Sequence, residues 1–109
     1  MTMAAPPRLD IVIPVYNEGA NILQTLRSID REVKTPLRVL ICYDREDDDT
    51  LPAIRGNADV LGGLAVDFVR NRGKGAHGAV LSGFAASDAP FALVLPADDD
   101  YNAAIIDAM

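Results

Sequence analysis

The sequence predicts an α/β domain built on a parallel, doubly wound (Rossmann-like) sheet of about four strands. Two observations lead to this fold class. Short apolar runs rich in β-branched residues alternate with segments of helical periodicity along the chain. The strand runs are apolar at successive positions, which is typical of parallel strands buried on both faces. With 109 residues the chain is one small domain at most, and we expect 1–8 to be a tail and 9–109 to be the domain.

The strands and the first helix are the clearest elements. Strands are expected at Leu9–Val15, Arg38–Tyr43, Leu64–Val69 and Phe91–Leu95. A first helix is indicated by apolar residues at helical spacing, namely Ile22, Leu23, Leu26, Ile29 and Val33. Asn17 or Asn21 is expected to cap this helix, which ends before Pro36.

The remaining helices are shorter or built from small residues. Thr50 is expected to cap a short second helix. A third helix is predicted over Ala76–Ala86, where Ala79 and Gly83 lie four residues apart and allow the helix to approach the sheet closely. Asn102–Met109 has the pattern of the first turns of a fourth helix.

Composition excludes several classes of protein. No apolar run approaches the roughly 20 residues of a membrane-spanning helix, and the N-terminus lacks the pattern of a secretory signal. The single cysteine, Cys42, excludes an internal disulfide, and the single histidine, His77, excludes a multi-histidine metal site. A cytoplasmic chain is therefore expected.

The negative charge is concentrated in two places. The net charge is −6, and eight of the 16 acidic residues lie in Asp44–Asp49 and Asp98–Asp100. Such local acidity indicates two sites for something positively charged, and Mg²⁺ and Mn²⁺ are the hard cations that prefer carboxylate oxygen. No nucleic-acid partner is expected.

Polar residues follow each predicted strand. Tyr16–Glu18 follow the first strand, Asp44 the second, the basic loop 70–75 the third and Asp98–Asp100 the fourth. Ligands of doubly wound sheets bind outside the carboxyl ends of the strands. This convergence predicts a ligand site at that edge, with the aspartates after the fourth strand as candidates for a metal and phosphate site.

Two other functions stay open at this point. Gly73–Gly78 matches G-x-G-x-x-G, follows a strand and opens a helix, as in NAD(P)-binding domains. Against this interpretation, the segment lies on the third strand–helix unit and carries more positive charge, from Arg70, Arg72 and Lys74, than a backbone cradle for pyrophosphate needs. The second alternative is a non-catalytic interaction domain.

Four segments resemble family 2 glycosyltransferases of the GT-A fold, in order and over nearly the whole chain. IVIPVYNEGANILQTLRSI resembles the opening strand and its P-x-Y-N-E ending, and CYDREDDDT the second-strand motif V-D-D-x-S-x-D-x-T. RNRGKGAHGAVLSGFAAS resembles the segment R-N-x-G-x-G-x-A-x-x-x-G-x-x-x-A, and VLPADDDYNAAIIDAM the D-x-D region. The likeness is greatest to the branch of dolichol-phosphate mannose synthase and polyprenyl-phosphate sugar transferases.

The resemblance implies a site residue by residue. It implies that Asp44 contacts the base or ribose and that Asp98, with Asp100, holds a divalent metal, Mn²⁺ or Mg²⁺, on the donor diphosphate. The full set of implied nucleotide-sugar-binding residues is Pro14, Tyr16, Glu18, Asp44, Asp48, Arg72, Lys74, Asp98 and Asp99.

Three positions depart from the family pattern. Tyr43 replaces the first aspartate of the second-strand pair, and Glu46 stands where a serine is usual. Pro96 occupies the first aspartate position of the D-x-D region, so the metal would be held by Asp98 and Asp100 instead of a pair spaced across Ala97.

The implied reaction transfers a sugar from a nucleotide diphosphate to an acceptor, with a polyprenyl phosphate as one candidate. The chain resembles the N-terminal, donor-binding half of such an enzyme, and no catalytic base is identified in it. Alone it is expected to bind nucleotide weakly and not to turn over. Its open sheet edge predicts a homodimer or aggregation. The full-length protein would work in the cytoplasm, with the membrane surface as a candidate location.

Overall fold

The computed structural model describes residues 8–73 and 75–98, and all four predicted strands are present within them. The strands are β1 (Leu9–Pro14), β2 (Leu37–Tyr43), β3 (Ala65–Arg70) and β4 (Phe91–Val94). The helices are α1 (Ile22–Glu32), α2 (Thr50–Arg55) and α3 (Gly75–Ala86), with a short 3₁₀ helix at Ala58–Leu61. Each boundary differs from its predicted position by a few residues at most. The helix expected over Asn102–Met109 lies outside the described residues.

The sheet is parallel throughout and has the strand order β3-β2-β1-β4. Ile11 of β1 lies between Val39 of β2 and Leu93 of β4. The chain builds outward from β1 to β3 and then returns to the other side of β1. This confirms the doubly wound arrangement, and it places the reversal of strand order between β1 and β4, where such folds bind ligands.

Helices cover both faces of the central strands. Ile11 and Ile13 join the larger core cluster, which contains the apolar side chains of α1 and α2. Val12, one residue between them, points to the opposite face and packs with Leu40, Cys42 and Ala79 of α3. Because side chains alternate along a strand, an unbroken apolar run fills both layers. Each fully buried aliphatic side chain contributes about 1.5–3 kcal/mol to the free energy of unfolding.

Helix α3 lies very close to the sheet at Gly83. A Cβ added there would lie 2.5 Å from Val12 Cγ1 and 2.8 Å from Cys42 Sγ. The prediction that this helix uses small residues for close approach is therefore confirmed. Burial raises the pKa of the Cys42 thiol to about 11, which makes it a packing group and not a reactive one.

Of the predicted helix caps, Asn21 is confirmed in its position before α1, whereas Thr50 was wrong as the cap of α2. Asn21 is the N-cap residue of α1, but its side chain accepts no hydrogen bond from the first turn of the helix, and its Nδ2 donates to Glu18 Oε2 (3.3 Å). Thr50 is the first residue of α2 and not its cap, a position that Asp49 occupies. The hydroxyl of Thr50 accepts a hydrogen bond from the backbone of a different loop. The Thr50 hydroxyl is thus engaged by a residue far away in sequence, whereas the Asn21 amide bonds a residue of its own turn.

A buried ion pair at the amino end of the sheet was not predicted. Asp10 is fully buried in β1 and accepts two hydrogen bonds from the Arg38 guanidinium, at 3.2 and 3.1 Å. It also accepts hydrogen bonds from Ser87 Oγ (2.7 Å) and from the backbone N–H groups of Asp88 and Ala89. These bonds fix the turn between α3 and β4. Burial would raise the pKa of Asp10, but these hydrogen bonds outweigh it and hold that pKa below its ordinary value.

The outer edge of the sheet is apolar at β4. Within the described residues this strand pairs with β1 alone, and Phe91 is 63% exposed.

Among residues 8–73 and 75–98, no helix is both long enough and apolar enough to span a membrane.

Candidate functional site

The loops after β1 and β2 meet at the carboxyl edge of the sheet and enclose a small cavity. Its volume is 120 Å³, and it is lined by Tyr16, Asn17, Asp44, Arg45, Asp47 and Asp48. The structure thus brings together three residues of the predicted site, Tyr16, Asp44 and Asp48. Pockets for whole ligands usually enclose about 300–1,000 Å³, so this cavity has room for part of a ligand only. Tyr16 is 72% exposed and offers its ring to solvent.

Asn17 connects the loop after β1 to the loop after β2 through two hydrogen bonds. It has a positive φ of 49°, a backbone conformation that asparagine tolerates better than most residues. Its N–H donates to Asp48 Oδ2 (3.1 Å), and its Oδ1 accepts from the Asp49 N–H (3.1 Å). The turn beside Tyr16 is therefore held by the acidic loop.

Further hydrogen bonds continue this connection. Glu18 N–H donates to Thr50 Oγ1 and Gly19 N–H to Asp49 Oδ1, both at 2.8 Å. Asp48 is 5% exposed, and its Oδ1 accepts from the Thr50 N–H (2.8 Å). Both carboxylate oxygens of Asp48 thus hold backbone of this region. The acidic stretch after β2 therefore holds the backbone of the loop after β1 in place. The charge of this stretch did not predict that structural role.

Asn71 connects Asp44 to the glycine-rich loop. Its Nδ2 donates to Asp44 Oδ1 in a short hydrogen bond, and its backbone N–H donates to the Tyr43 carbonyl (2.7 Å). Its Oδ1 accepts from the Gly73 N–H (2.8 Å) and from Ser82 Oγ (3.3 Å). Asn71 is the asparagine of the R-N-x-G segment, and no role was predicted for it from the sequence. Two signals were available for it, its position directly after a strand and its place in that segment.

The glycines of the G-x-G-x-x-G match have a packing role. A Cβ on Gly78 would lie 2.9 Å from the Gly73 carbonyl carbon and 3.0 Å from Asn71 Oδ1. Two of the fingerprint glycines are thus required by contact between the loop and the start of α3, without any dinucleotide. Arg72 lines a different and more open cavity of 680 Å³ beside β3 and α3. Lys74 lies outside the described residues.

Two departures from the family pattern contact each other. Tyr43 is 8% exposed, and its hydroxyl donates to Glu46 Oε1 (3.2 Å), which also accepts from Arg70 Nη1 (3.0 Å). Burial first, and then the Glu46 carboxylate, raises the pKa of the Tyr43 hydroxyl. The tyrosine therefore remains a neutral donor to the Glu46 carboxylate.

The loop after β4 folds over α1 with alternating burial. Leu95 and Ala97 are buried, while Pro96 and Asp98 are exposed. The Ala97 carbonyl accepts a hydrogen bond of 2.6 Å from Thr25 Oγ1. Asp98 thus presents its carboxylate to solvent at the end of β4, while Asp99 and Asp100 lie outside the described residues.

The remaining predicted residues lie along the same edge. Pro14 ends β1 and is half-buried, as is Glu18 in the turn before α1. Over 8–73 and 75–98, no three His, Cys, Asp or Glu side chains are grouped so as to hold a metal ion. Asp98 still offers the hard oxygen donor that Mg²⁺ and Mn²⁺ prefer, and phosphate oxygens of a ligand can complete such a coordination shell. The donor chemistry of this edge therefore fits a divalent ion carried with a diphosphate.

Comparison with known proteins gives a consistent family. The model of the family described as glycosyl transferase family 2 matches residues 10–104. The chain is 32% identical over 98 residues to an undecaprenyl-phosphate 4-deoxy-4-formamido-L-arabinose transferase of Klebsiella pneumoniae, covering 85% of this chain and 30% of that protein. It is 30% identical over 93 residues to the Pseudomonas aeruginosa protein of the same name, covering 83% and 27%. The chain therefore spans less than a third of the length of these curated relatives.

Solved structures agree with the fold. A mannosyltransferase from Pyrobaculum calidifontis, solved with GDP-Man and Mn²⁺, superposes with a TM-score of 0.68 at 29% identity, over 86% of this chain and 28% of that one. S. aureus TarS 1–349, solved with UDP-GlcNAc, superposes with a TM-score of 0.64 at 19% identity, over 84% and 26%. The second likeness concerns the fold alone. Together they confirm the predicted GT-A type of α/β fold.

Proposed function

The chain belongs to glycosyl transferase family 2, and on that premise we propose that its carboxyl edge binds the nucleotide diphosphate of a sugar donor. The observation that carries this proposal is the cavity shared by Tyr16 and Asp44 at the carboxyl edge of the sheet. An exposed aromatic ring beside a carboxylate suits a nucleobase, since the ring stacks on the base and the carboxylate accepts from N–H or O–H groups of base or ribose. The cavity volume fits the base and not the whole donor.

Phosphate and metal contacts are assigned to the neighbouring loops. Asp98 and Asp100 are the proposed metal ligands, and Asp99, Arg72 and Lys74 the proposed residues near the phosphates. A divalent ion bound there would neutralise negative charge on the leaving diphosphate. Asp98 supplies an exposed carboxylate, and the likeness to a mannosyltransferase solved with GDP-Man and Mn²⁺ supports this assignment.

Pro14, Glu18 and Asp48 form the rest of the proposed site. Pro14 and Glu18 line the edge beside Tyr16, while Asp48 acts through the backbone that it holds. Its two oxygens accept hydrogen bonds from Asn17 and Thr50, which fixes the turn that presents Tyr16. Asp48 is in this proposal a residue that positions the site.

The proposed reaction is transfer of the sugar to an acceptor oxygen. That oxygen forms a bond to the anomeric carbon as the bond from this carbon to the diphosphate breaks, and the nucleoside diphosphate leaves with the bonding electron pair. The relatives named as undecaprenyl-phosphate transferases support a polyprenyl phosphate as acceptor. Such an acceptor would bring the full-length protein to a membrane surface. No described residue is assigned as a catalytic base.

A thermal-stability titration tests the donor site. GDP, UDP and NAD are each added with and without Mn²⁺, because a ligand that binds only the folded state raises the midpoint of unfolding. We expect a Mn²⁺-dependent rise with GDP or UDP that is lost in Asp98→Ala and reduced in Asp44→Asn. Asp59→Asn, an exposed carboxylate in the 3₁₀ helix, is the matched control and should behave as wild type. A rise with NAD that ignores Mn²⁺ and Asp98 would instead support dinucleotide binding.

A further inference from the structure

A buried hydroxyl links the middle of α1 to the loop that carries Asp98. Thr25 is 1% exposed, and its Oγ1 donates to the Ala97 carbonyl at 2.6 Å. The same hydroxyl lies 3.4 Å from the Asn21 carbonyl within its own helix. The bond to Ala97 is much the shorter, so the hydrogen of this hydroxyl is directed to the loop and not to the helix.

The bond fixes the backbone next to Asp98. The Ala97 side chain lies in the larger core cluster together with α1 residues such as Ile22 and Leu26. Packing of a single methyl group leaves the peptide plane beyond it free to rotate, whereas a hydrogen bond to its carbonyl sets the direction of that plane. Because Asp98 is the next residue, the direction of its exposed carboxylate depends on the same peptide.

We propose that Thr25 is a positioning residue for the divalent metal of the donor site. This inference rests on the proposed function, and it adds a buried residue from the middle of α1. Groups behind metal ligands orient those ligands, and their loss commonly weakens metal binding. Thr25 acts through the Ala97 carbonyl, without contact to metal or nucleotide.

Burial alone does not explain a threonine at this position. The other buried residues of α1 are Ile22, Leu26 and Ile29, which are aliphatic and fully buried, and the polar Ser28, which is 3% exposed. Valine has nearly the shape of threonine and would fill the same space without a hydroxyl. A valine would leave the Ala97 carbonyl without this donor, and the loop would turn to find another partner.

The test measures Mn²⁺ binding directly. Free Mn²⁺ is followed by its electron paramagnetic resonance signal in the presence of GDP and, separately, UDP, with wild type, Thr25→Val and Thr25→Ser. We expect Thr25→Val to weaken Mn²⁺ binding about tenfold, while Thr25→Ser, which retains the hydroxyl, keeps most of the affinity. Metal-free binding of the nucleotide should be the same in all three. Ile29→Val removes a core methylene from the same helix and controls for lost stability.

Each possible result either supports or overturns the role proposed for Thr25. Equal Mn²⁺ affinity in wild type and Thr25→Val would overturn the role of Thr25 and leave the proposed function standing. A comparable loss in Ile29→Val would also overturn it, since the effect would then follow stability. If wild type itself binds no Mn²⁺ with either nucleotide, both proposals fail. Should Thr25→Val not fold, Thr25→Ala also removes the hydroxyl and is compared with Thr25→Ser in the same way.

Discussion

The Asn71 side-chain amide donates a hydrogen bond to the Asp44 carboxylate, and it joins the loop after β2 to the loop after β3. One oxygen of Asp44 is thereby engaged, which fixes the direction in which the other can accept. Since Asn71 Oδ1 also accepts from the Gly73 N–H, this side chain connects Asp44, which lines the cavity beside Tyr16, to the glycine-rich loop. Neither loop can shift without moving the other.

Replacing Asn71 should therefore weaken nucleotide binding. Asn71→Ala removes the donor to Asp44, and we expect about a tenfold loss of affinity for GDP or UDP, since a hydrogen bond to a charged group contributes about 1.5 kcal/mol. Isothermal titration calorimetry measures it. Asn57→Ala is the control, because its amide donates to the Ala53 carbonyl away from the site. Unchanged affinity in Asn71→Ala would show that Asp44 is held by other contacts.

Gly83→Ala should destabilise the fold through a clash between α3 and the sheet. The added methyl group meets Val12 Cγ1 and Cys42 Sγ well inside contact distance, and overpacking of this kind costs about 1–3 kcal/mol. Urea unfolding provides the free energy. Gly63→Ala is the matched control, since nothing lies within 4 Å of the position of its Cβ. Equal stability of the two variants would contradict the close approach.

The Asp10–Arg38 pair should make stability depend on pH. Because the pKa of Asp10 is lowered in the folded chain, its contribution is fully present above the ordinary carboxyl pKa of about 4 and is lost as the pH falls through the lower pKa of the folded state. Asp10→Asn should lower the free energy of unfolding at pH 7 by about 3 kcal/mol and flatten its fall in acid. Thermal unfolding across this pH range measures both. Asp67→Asn, which removes an exposed partner of Arg38, should change little.

Tyr43 and Glu46 should behave as a coupled pair. Tyr43→Asp, which restores the family residue, places a carboxylate in a buried position beside Glu46 and should cost about 2 kcal/mol or more. Adding Glu46→Ser, also the family residue, should recover about 1 kcal/mol of that loss. A double-mutant cycle in urea measures the coupling. Strict additivity of the two changes would show that the departures are independent.

The exposed edge of β4 should promote self-association. Within 8–73 and 75–98, β4 pairs on one side only, and its other side together with the exposed Phe91 forms a template for another strand. We expect dimers or larger species by light scattering, shifted toward monomer by Phe91→Lys. Leu81→Lys, which changes an exposed apolar residue on α3, should leave association unchanged. A wild-type monomer at high concentration would count against this surface.

Strand and helix positions could be predicted because apolar periodicity is a local property of the sequence. The apolar side chains of the run from Leu9, and those of Ile22, Leu26 and Ile29, must be buried. A parallel sheet with helices on both faces buries them. The carboxyl-edge location of Tyr16 and Asp44 followed from topology alone. These parts of the fold depend on general rules for sheets and not on the particular partners of each side chain.

Side-chain partners could not be predicted, because they depend on loops brought together only in the folded chain. Thr25 and Ala97 are far apart in sequence, and nothing in either segment marks them as a pair. Asp48 carried the charge expected of a ligand-binding residue, yet its oxygens hold backbone. Asp10 stood inside an apolar run, where only the fold reveals the arginine that neutralises it.

The strand order has a consequence for how the polypeptide acquires its shape. The first of the described strands, β1, is a central strand, and one of its sides gains its partner only when Phe91 of β4 lies opposite Leu9. Pairing between strands that are far apart in sequence is slow, because closing the long intervening loop costs entropy. Until β4 pairs, one side of β1 lacks the backbone hydrogen bonds that β4 provides. The pairing of β4 with β1 is therefore expected to form later than the pairing among β1, β2 and β3.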